Sequence, residues 1–185
     1  MTLWHRTFVS IGTNKGVCEK TIKEICQHIA SLPDVKDFAL SSLWRTSPVG
    51  VCPQEDFLNC VCSFSTLHSP QALFSHLTRI EKEYGRTEKG QGLPRTIDLD
   101  LLLVGHCFLQ TPSLTLPHPR MLDRLFVLLP LCELLDDEYL EIPTSFEPQK
   151  VNISDHIQRL KETTDQRAEK ILSANPLKHP SLKEH

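Results

Sequence analysis

The residue pattern predicts an α+β fold, one antiparallel sheet with helices packed on it. Three observations carry the prediction. Apolar runs of strand length fall at residues 6–12, 35–44, 57–66 and 94–105. Two stretches with helical apolar spacing, 18–32 and 69–84, lie between them. The resulting order is strand, helix, strand, strand, helix, strand, which suits a ferredoxin-like β-α-β-β-α-β core.

The first strand, Arg6 to Gly12, alternates Phe8, Ser10 and Gly12 against Thr7, Val9 and Ile11. It ends in the turn-rich Gly12-Thr13-Asn14-Lys15-Gly16, which lacks the lysine spacing of a P-loop. Ile22, Ile25, Ile29 and Leu32 line one stripe of the first helix, and Pro33-Asp34 stops it. A strand from Val35 to Trp44 follows, then a proline-shaped loop over 45–56. Phe57 to Thr66 places Phe57, Asn59, Val61 and Ser63 on one face. Asn59 is the odd member, a polar amide with donors and an acceptor that suits either a heterocycle edge or a structural hydrogen bond. Ser69-Pro70 is an N-cap followed by a first-turn proline, and Leu73, Leu77, Ile80 and Tyr84 form the buried stripe of the second helix. Residues 86–93 are polar and glycine-rich, the composition of a mobile active-site lid or of a plain solvated loop.

In the run Thr96 to Gly105, alternation puts Ile97, Leu99, Leu101 and Leu103 on one side. Asp98 and Asp100 share the other with Leu102 and Val104. Two carboxylates so close repel each other, and aspartate is depleted in strands. A hard divalent cation such as Mg²⁺ would offset that cost, and so would an arginine at a solvated rim. Beyond the strand come a hairpin turn at Gly105-His106 and a short strand near 107–109. The stiff Leu116-Pro117-His118-Pro119 precedes an apolar helix over 125–129 that Pro130 is expected to bend.

Composition bounds the function. At 185 residues the chain suits one domain and a tail, divided as 1–145 and 146–185. The tail is polar, with one weak helix from 154 to about 172. A formal net charge of −3 gives no nucleic-acid footprint. The first residues have no apolar signal core and no long apolar run follows, so no membrane association is expected and the location expected is cytoplasmic. Seven cysteines without a Cys-x-x-Cys pair read as buried free thiols, and no His-x-x-x-His pair supports a zinc hydrolase.

With these pieces in place the chain resembles the 6-hydroxymethyl-7,8-dihydropterin pyrophosphokinases of folate synthesis, from about Val9 to Leu135. The resemblance is carried by Ile11-Gly12-Thr13-Asn14, Trp44-Arg45-Thr46-Ser47-Pro48-Val49-Gly50 and Phe57-Leu58-Asn59. It continues through Arg79-Ile80-Glu81, Gly85-Arg86, Pro94-Arg95-Thr96-Ile97-Asp98-Leu99-Asp100 and Pro117-His118. It implies transfer of pyrophosphate from ATP to the dihydropterin hydroxymethyl, with release of AMP. Asp98 and Asp100 would hold two Mg²⁺ ions. Thr46, Val49 and Asn59 would read the pterin edge, and Phe57 and Phe126 would sandwich its ring. Arg86, Arg95, His118 and Arg124 would meet phosphate, Arg86 and Arg95 in catalytic roles. Glu81 and Thr115 would line the nucleotide side.

Some residues depart from the family pattern. The family's mobile loop usually carries Arg-Trp-Gly-Pro-Arg where this chain has Gln91-Gly92-Leu93-Pro94-Arg95. Glu88 stands near a common arginine position, and Thr78 replaces a frequent glutamine. In some lineages this enzyme is fused to dihydropteroate synthase, so the polar tail is read as a linker to such a partner. The alternatives are a pterin-binding relative with impaired turnover, and another two-metal phosphotransferase or phosphohydrolase on the same fold. An RNA-binding module would need exposed aromatics and excess positive charge, and the composition gives neither.

Overall fold

The computed structural model describes residues 3–48, 55–85 and 96–171. The elements run β1 (His5–Thr13), α1 (Cys18–Ala30), β2 (Val35–Leu40), β3 (Leu43–Thr46), β4 (Phe57–Thr66), α2 (Pro70–Glu83) and β5 (Asp98–Val104). Then come β6 (Leu109–Gln110), β7 (Thr115–Leu116), α3 (Leu125–Cys132), β8 (Tyr139–Ile142), β9 (Gln149–Asn152), α4 (Ile153–Thr163) and β10 (Ala168–Ile171). The main sheet is antiparallel in the order β10-β3-β4-β1-β5, with β2 also on β4.

Its two faces are covered differently. Ile22, Ile25 and Ile29 of α1 and Leu73, Leu77 and Ile80 of α2 pack on Val9, Ile11, Cys60, Phe64 and Leu99. On the other face α3, α4 and the β8–β9 ribbon cover Phe8, Val61, Leu102 and Leu103. The Ser69 hydroxyl caps α2 by accepting from the Ala72 N–H at 3.2 Å, as the Ser-Pro start predicts. Cys26, Cys60 and Cys62 are buried in the first core as free thiols. A hydrogen bond with Cys26, then burial, holds the Cys60 thiol pKa well above the ordinary range.

Four expectations change. The strand expected over 35–44 is two, β2 and β3, both on the same side of β4. At the break Ser41 stands in for the ladder, its N–H donating to the Val61 carbonyl and its hydroxyl accepting the Val61 N–H, each at 3.0 Å. Strict alternation along β5 fails after Leu101. Val9 pairs with Leu101 and Phe8 with Leu103, so Leu102 is an extra residue in the ladder. Leu102 and Leu103 therefore both face α3, and Val104 returns to the α1–α2 core. The turn at Gly105 does not fold the next strand back on β5, because β6 pairs with β7 instead. Finally, residues 149–171, read from sequence as part of a polar, partly helical tail, are built onto the rest. Val151, Ile153 and Ile157 are buried beneath α3, and β10 extends the main sheet beside β3. The pattern is faint because only one narrow stripe of α4 is apolar. Residues 172–185 of the expected tail lie outside the described residues. Among the described residues no helix is long and apolar enough to cross a membrane.

Glu133, the C-cap residue of α3, ties this added edge to the sheet. Its carboxylate accepts from the Ser42 N–H at 2.8 Å and the Trp44 indole N–H at 2.9 Å, and pairs with Lys170 at 3.2 Å. Burial raises its pKa, but the hydrogen bonds from Ser42, Trp44 and Lys170 outweigh burial and hold it below the ordinary 4.5. The folded value being depressed, the contribution is complete above pH 4.5 and is lost as pH falls through the folded value. Glu133→Gln is expected to be less stable than wild type at pH 7, with the gap closing under acid. Thermal melts of both proteins between pH 7 and 3 check this, and a gap independent of pH would contradict it.

Candidate active site

The strand register builds the site. Gly12 on β1 lies opposite both Asn59 on β4 and Asp98 on β5, so the three form one row across the sheet. Ser10 lies opposite Asp100 and Val61 in the next row on the same face. Adjacent strands are about 4.8 Å apart, so Asn59 and Asp98 stand about 10 Å apart across a glycine. Phe57 is half-buried on the same face of β4.

Asn59 is buried, and its Nδ2 donates to the Thr46 hydroxyl at 2.7 Å. The amide nitrogen is thus used structurally, and Oδ1 leans over Gly12. A Cβ at Gly12 would stand 2.6 Å from that oxygen, so only glycine fits. Asn14, also buried, donates through Nδ2 to the Glu55 carbonyl at 3.2 Å and ties the loop after β1 to the entry of β4.

The carboxylate side is electrostatically tuned. Arg124 donates to Asp100 Oδ2 at 3.0 Å, and His118 Nε2 lies 3.8 Å from the same oxygen. The Arg124 guanidinium carbon is 5.3 Å from the Phe126 ring centroid, so the cation also leans on that ring. His118 Nδ1 accepts the Arg120 N–H at 3.2 Å, which puts the proton of the neutral ring on Nε2. Burial pushes the His118 pKa below 6.5. Asp100 opposes that shift, Arg124 and Arg120 reinforce it, and Asp98 opposes it. One cation, Arg124, and one neutral N–H donor, His118, thus gather at the Asp100 carboxylate.

Glu81, expected on the nucleotide side, supports the strand that carries the aspartates. It is buried on α2, and its Oε1 accepts the Leu99 N–H at 2.8 Å. Strand β5 is the sheet edge, so this N–H would otherwise have no strand partner. The bond holds the backbone between Asp98 and Asp100. Glu81→Ala strands a buried N–H and is expected to cost about 1–3 kcal/mol, whereas Glu81→Gln keeps an acceptor and costs less. Chemical denaturation of the two variants checks the order, and equal losses would contradict it.

Thr115 is half-buried on β7, which lies against β5. Arg86, Arg95 and Val49 lie outside the described residues. The structure thus brings together Thr46, Asn59, Asp98, Asp100, His118, Arg124 and Phe126 on one face, with Phe57 beside them. Sequence reasoning gave no role to Gly12 as the floor of the site. The signal was present, a glycine at the end of a strand, but its meaning needed the cross-strand partner. A cleft of about 570 Å³ between β3, α3 and β10 borders the site, lined by Arg45, Ser47, Asp56, Leu125, Gln166 and Arg167 among others. Neither Asp98 nor Asp100 lines it, so it is a neighbour of the acidic centre and not the centre itself.

Two carboxylates on one strand face suit Mg²⁺, which needs only one or two protein carboxylates when phosphate oxygens and water complete its shell. Among the described residues no group of three or more His, Cys, Asp or Glu forms a cation cage. That donor set fits a metal carried in with a polyphosphate better than a resident structural ion.

The chain is 37% identical over 127 residues to the Bacillus subtilis 2-amino-4-hydroxy-6-hydroxymethyldihydropteridine pyrophosphokinase, covering 69% of this chain and 76% of that one. To the Pseudomonas aeruginosa protein of the same name it is 36% identical over 132 residues, 71% of this chain and 82% of the other. A crystal structure of an HPPK-DHPS protein in complex with substrates matches the fold with a TM-score of 0.62 at 14% identity. It covers 87% of this chain but only 44% of its own. The sequence profile described as 7,8-dihydro-6-hydroxymethylpterin-pyrophosphokinase (HPPK) matches residues 8–136, the span that supplies the whole Asn59–Gly12–Asp98 row, and the chain belongs to that family.

Proposed function

We propose that the protein transfers the pyrophosphoryl group of ATP to the hydroxymethyl of 6-hydroxymethyl-7,8-dihydropterin in folate synthesis, releasing AMP. The observation that carries this is the row Asn59–Gly12–Asp98. An amide and a carboxylate stand on the two strands that flank the glycine, an arrangement that suits a heterocycle on one side and a metal–phosphate group on the other. A pterin seated against Asn59 and Thr46, between Phe57 and Phe126, would extend its hydroxymethyl over Gly12 towards the aspartates.

Asp98 and Asp100 would hold the Mg²⁺ ions, which when bound neutralise phosphate charge and favour an in-line displacement. The remaining work falls to this chain's side chains. Arg124 is preset on Asp100 at 3.0 Å, and its fork suits a phosphate oxygen. His118, kept neutral by burial, would present Nε2–H to phosphate and take a proton more readily as negative charge arrives. Arg86 and Arg95 are proposed as further phosphate partners in the loop over 86–95, with Thr115 on the nucleotide side. Glu81 is assigned to hold the strand under the aspartates. The strand order β5-β1-β4-β2/β3 supports the ferredoxin-like reading, with β10 as an added edge.

The absence of the tryptophan and first arginine from the loop at 91–95 favours one second reading, a relative that binds pterin but turns over poorly. The proposed compartment is the cytoplasm, in keeping with six free thiols among the described residues. Dihydropteroate synthase remains the proposed partner, and co-sedimentation of the two proteins tests it. The deciding experiment is AMP formation from ATP and Mg²⁺ with and without the dihydropterin. Pterin-dependent AMP supports transfer. Pterin binding without AMP supports the second reading, and ADP formed without pterin would overturn both.

A further inference from the structure

Arg124 occupies the N-cap position of α3, where an oxygen-bearing side chain normally accepts a first-turn N–H. Arginine has no acceptor, and its guanidinium is committed to Asp100. The missing acceptor comes from far along the chain. Gln166 Oε1 accepts the Leu125 N–H at 2.9 Å, and Gln166 Nε2 donates to the Asp123 carbonyl at 3.0 Å. One amide thus clamps the backbone on both sides of Arg124.

Gln166 is itself held in place. The next residue, Arg167, donates its N–H to the Ser47 hydroxyl at 3.1 Å, and its carbonyl accepts the Ser47 N–H at 3.0 Å. Ala168 then pairs with Thr46, whose hydroxyl carries the Asn59 amide. The segment 166–168 therefore touches the supports of both halves of the site: Thr46 on the heterocycle side and Arg124 on the carboxylate side.

We infer that Gln166 is a positioning residue, which holds the start of α3 so that Arg124 is aimed at Asp100 and at a phosphate bound there. The inference rests on the reading of Arg124 as a phosphate partner. A side chain as long and flexible as arginine keeps a single geometry only when its backbone is fixed. Here the fixing bonds come from Gln166, while the helix's own N-cap supplies none through its side chain.

The test is a double-mutant cycle on the full chain, with binding of Mg²⁺ and a non-hydrolysable ATP analogue measured by calorimetry. Gln166→Met keeps the length and packing of the side chain but makes neither bond. It is expected to weaken analogue binding about tenfold, a typical cost for removing a support behind a binding group. Gln166→Glu keeps the acceptor for Leu125 and should recover part of the loss. In an Arg124→Ala background, Gln166→Met should cost nothing more, because the group it aims is gone. Wild-type binding by Gln166→Met, or the same loss in both backgrounds, overturns the inference. Should Arg124→Ala itself bind the analogue normally, the phosphate role of Arg124 fails, and the crystal structure of Gln166→Met decides the positioning role alone. Arg124 still on Asp100 overturns it, and Arg124 displaced upholds it. If Gln166→Met does not fold, Gln166→Glu carries the same cycle through loss of the bond to the Asp123 carbonyl.

Discussion

Asp98→Ala is expected to lower pterin-dependent AMP release by about a thousandfold or more, because charge stabilisation at a transferring phosphate is worth several kcal/mol. The fold should survive. Asp98 and Asp100 are half-buried on one strand face, and removing one carboxylate relieves like-charge repulsion. Asp100→Ala is expected to be as inactive but less stable. It leaves Arg124, only 18% exposed, without the oxygen it meets at 3.0 Å, a loss of about 1–2 kcal/mol for a partly screened charged hydrogen bond. Rate assays paired with calorimetric melts separate the two effects. Transfer that persists in Asp98→Ala would show that the acidic pair does not hold the metal. Equal melting temperatures would show that the Arg124 pair contributes nothing to the fold.

Gly12→Ala should be the most damaging single-methyl change in the site. The new Cβ would lie 2.6 Å from Asn59 Oδ1, closer than carbon and oxygen tolerate. Asn59 cannot simply turn away, because its Nδ2 is bonded to Thr46 at 2.7 Å and its side chain is buried. Either the amide gives up Thr46 or β1 slides from β4, and overpacking of this kind costs about 1–3 kcal/mol. Since Asn59 is the proposed reader of the heterocycle, pterin affinity should fall about 10- to 100-fold. Affinity for the nucleotide analogue should fall less, because Arg124 and His118 do not touch Gly12. Calorimetry with each ligand in turn checks the asymmetry. Unchanged pterin binding would mean that Asn59 is structural only.

Much of the site was legible in the primary structure. The period of two along Asp98 to Leu101 placed both carboxylates on one face because pleating forces it, and Asn59 was the one amide in its strand. Where alternation was carried further it failed, since one extra residue at Leu102 reverses the faces of Leu103 and Val104, and a bulge leaves no mark in an all-apolar run. The chain after 145 was also misjudged. Few of its residues are apolar, yet β10 needs only the open edge of β3, and α4 buries just Ile153 and Ile157.

Sequence by itself determined most element types up to β5, the acidic strand face and the family to which the chain belongs, because each rests on local periodicity or on motifs in a set order. Tertiary structure alone decided which groups support them. Gly12 became a floor only when Asn59 and Asp98 took places on either side. Glu81 became a clamp on Leu99, and Gln166 a clamp around Arg124, across separations of 18 and about 40 residues. Those pairings are set by strand order at the sheet edges, and no short-range pattern encodes which distant donor will meet which acceptor.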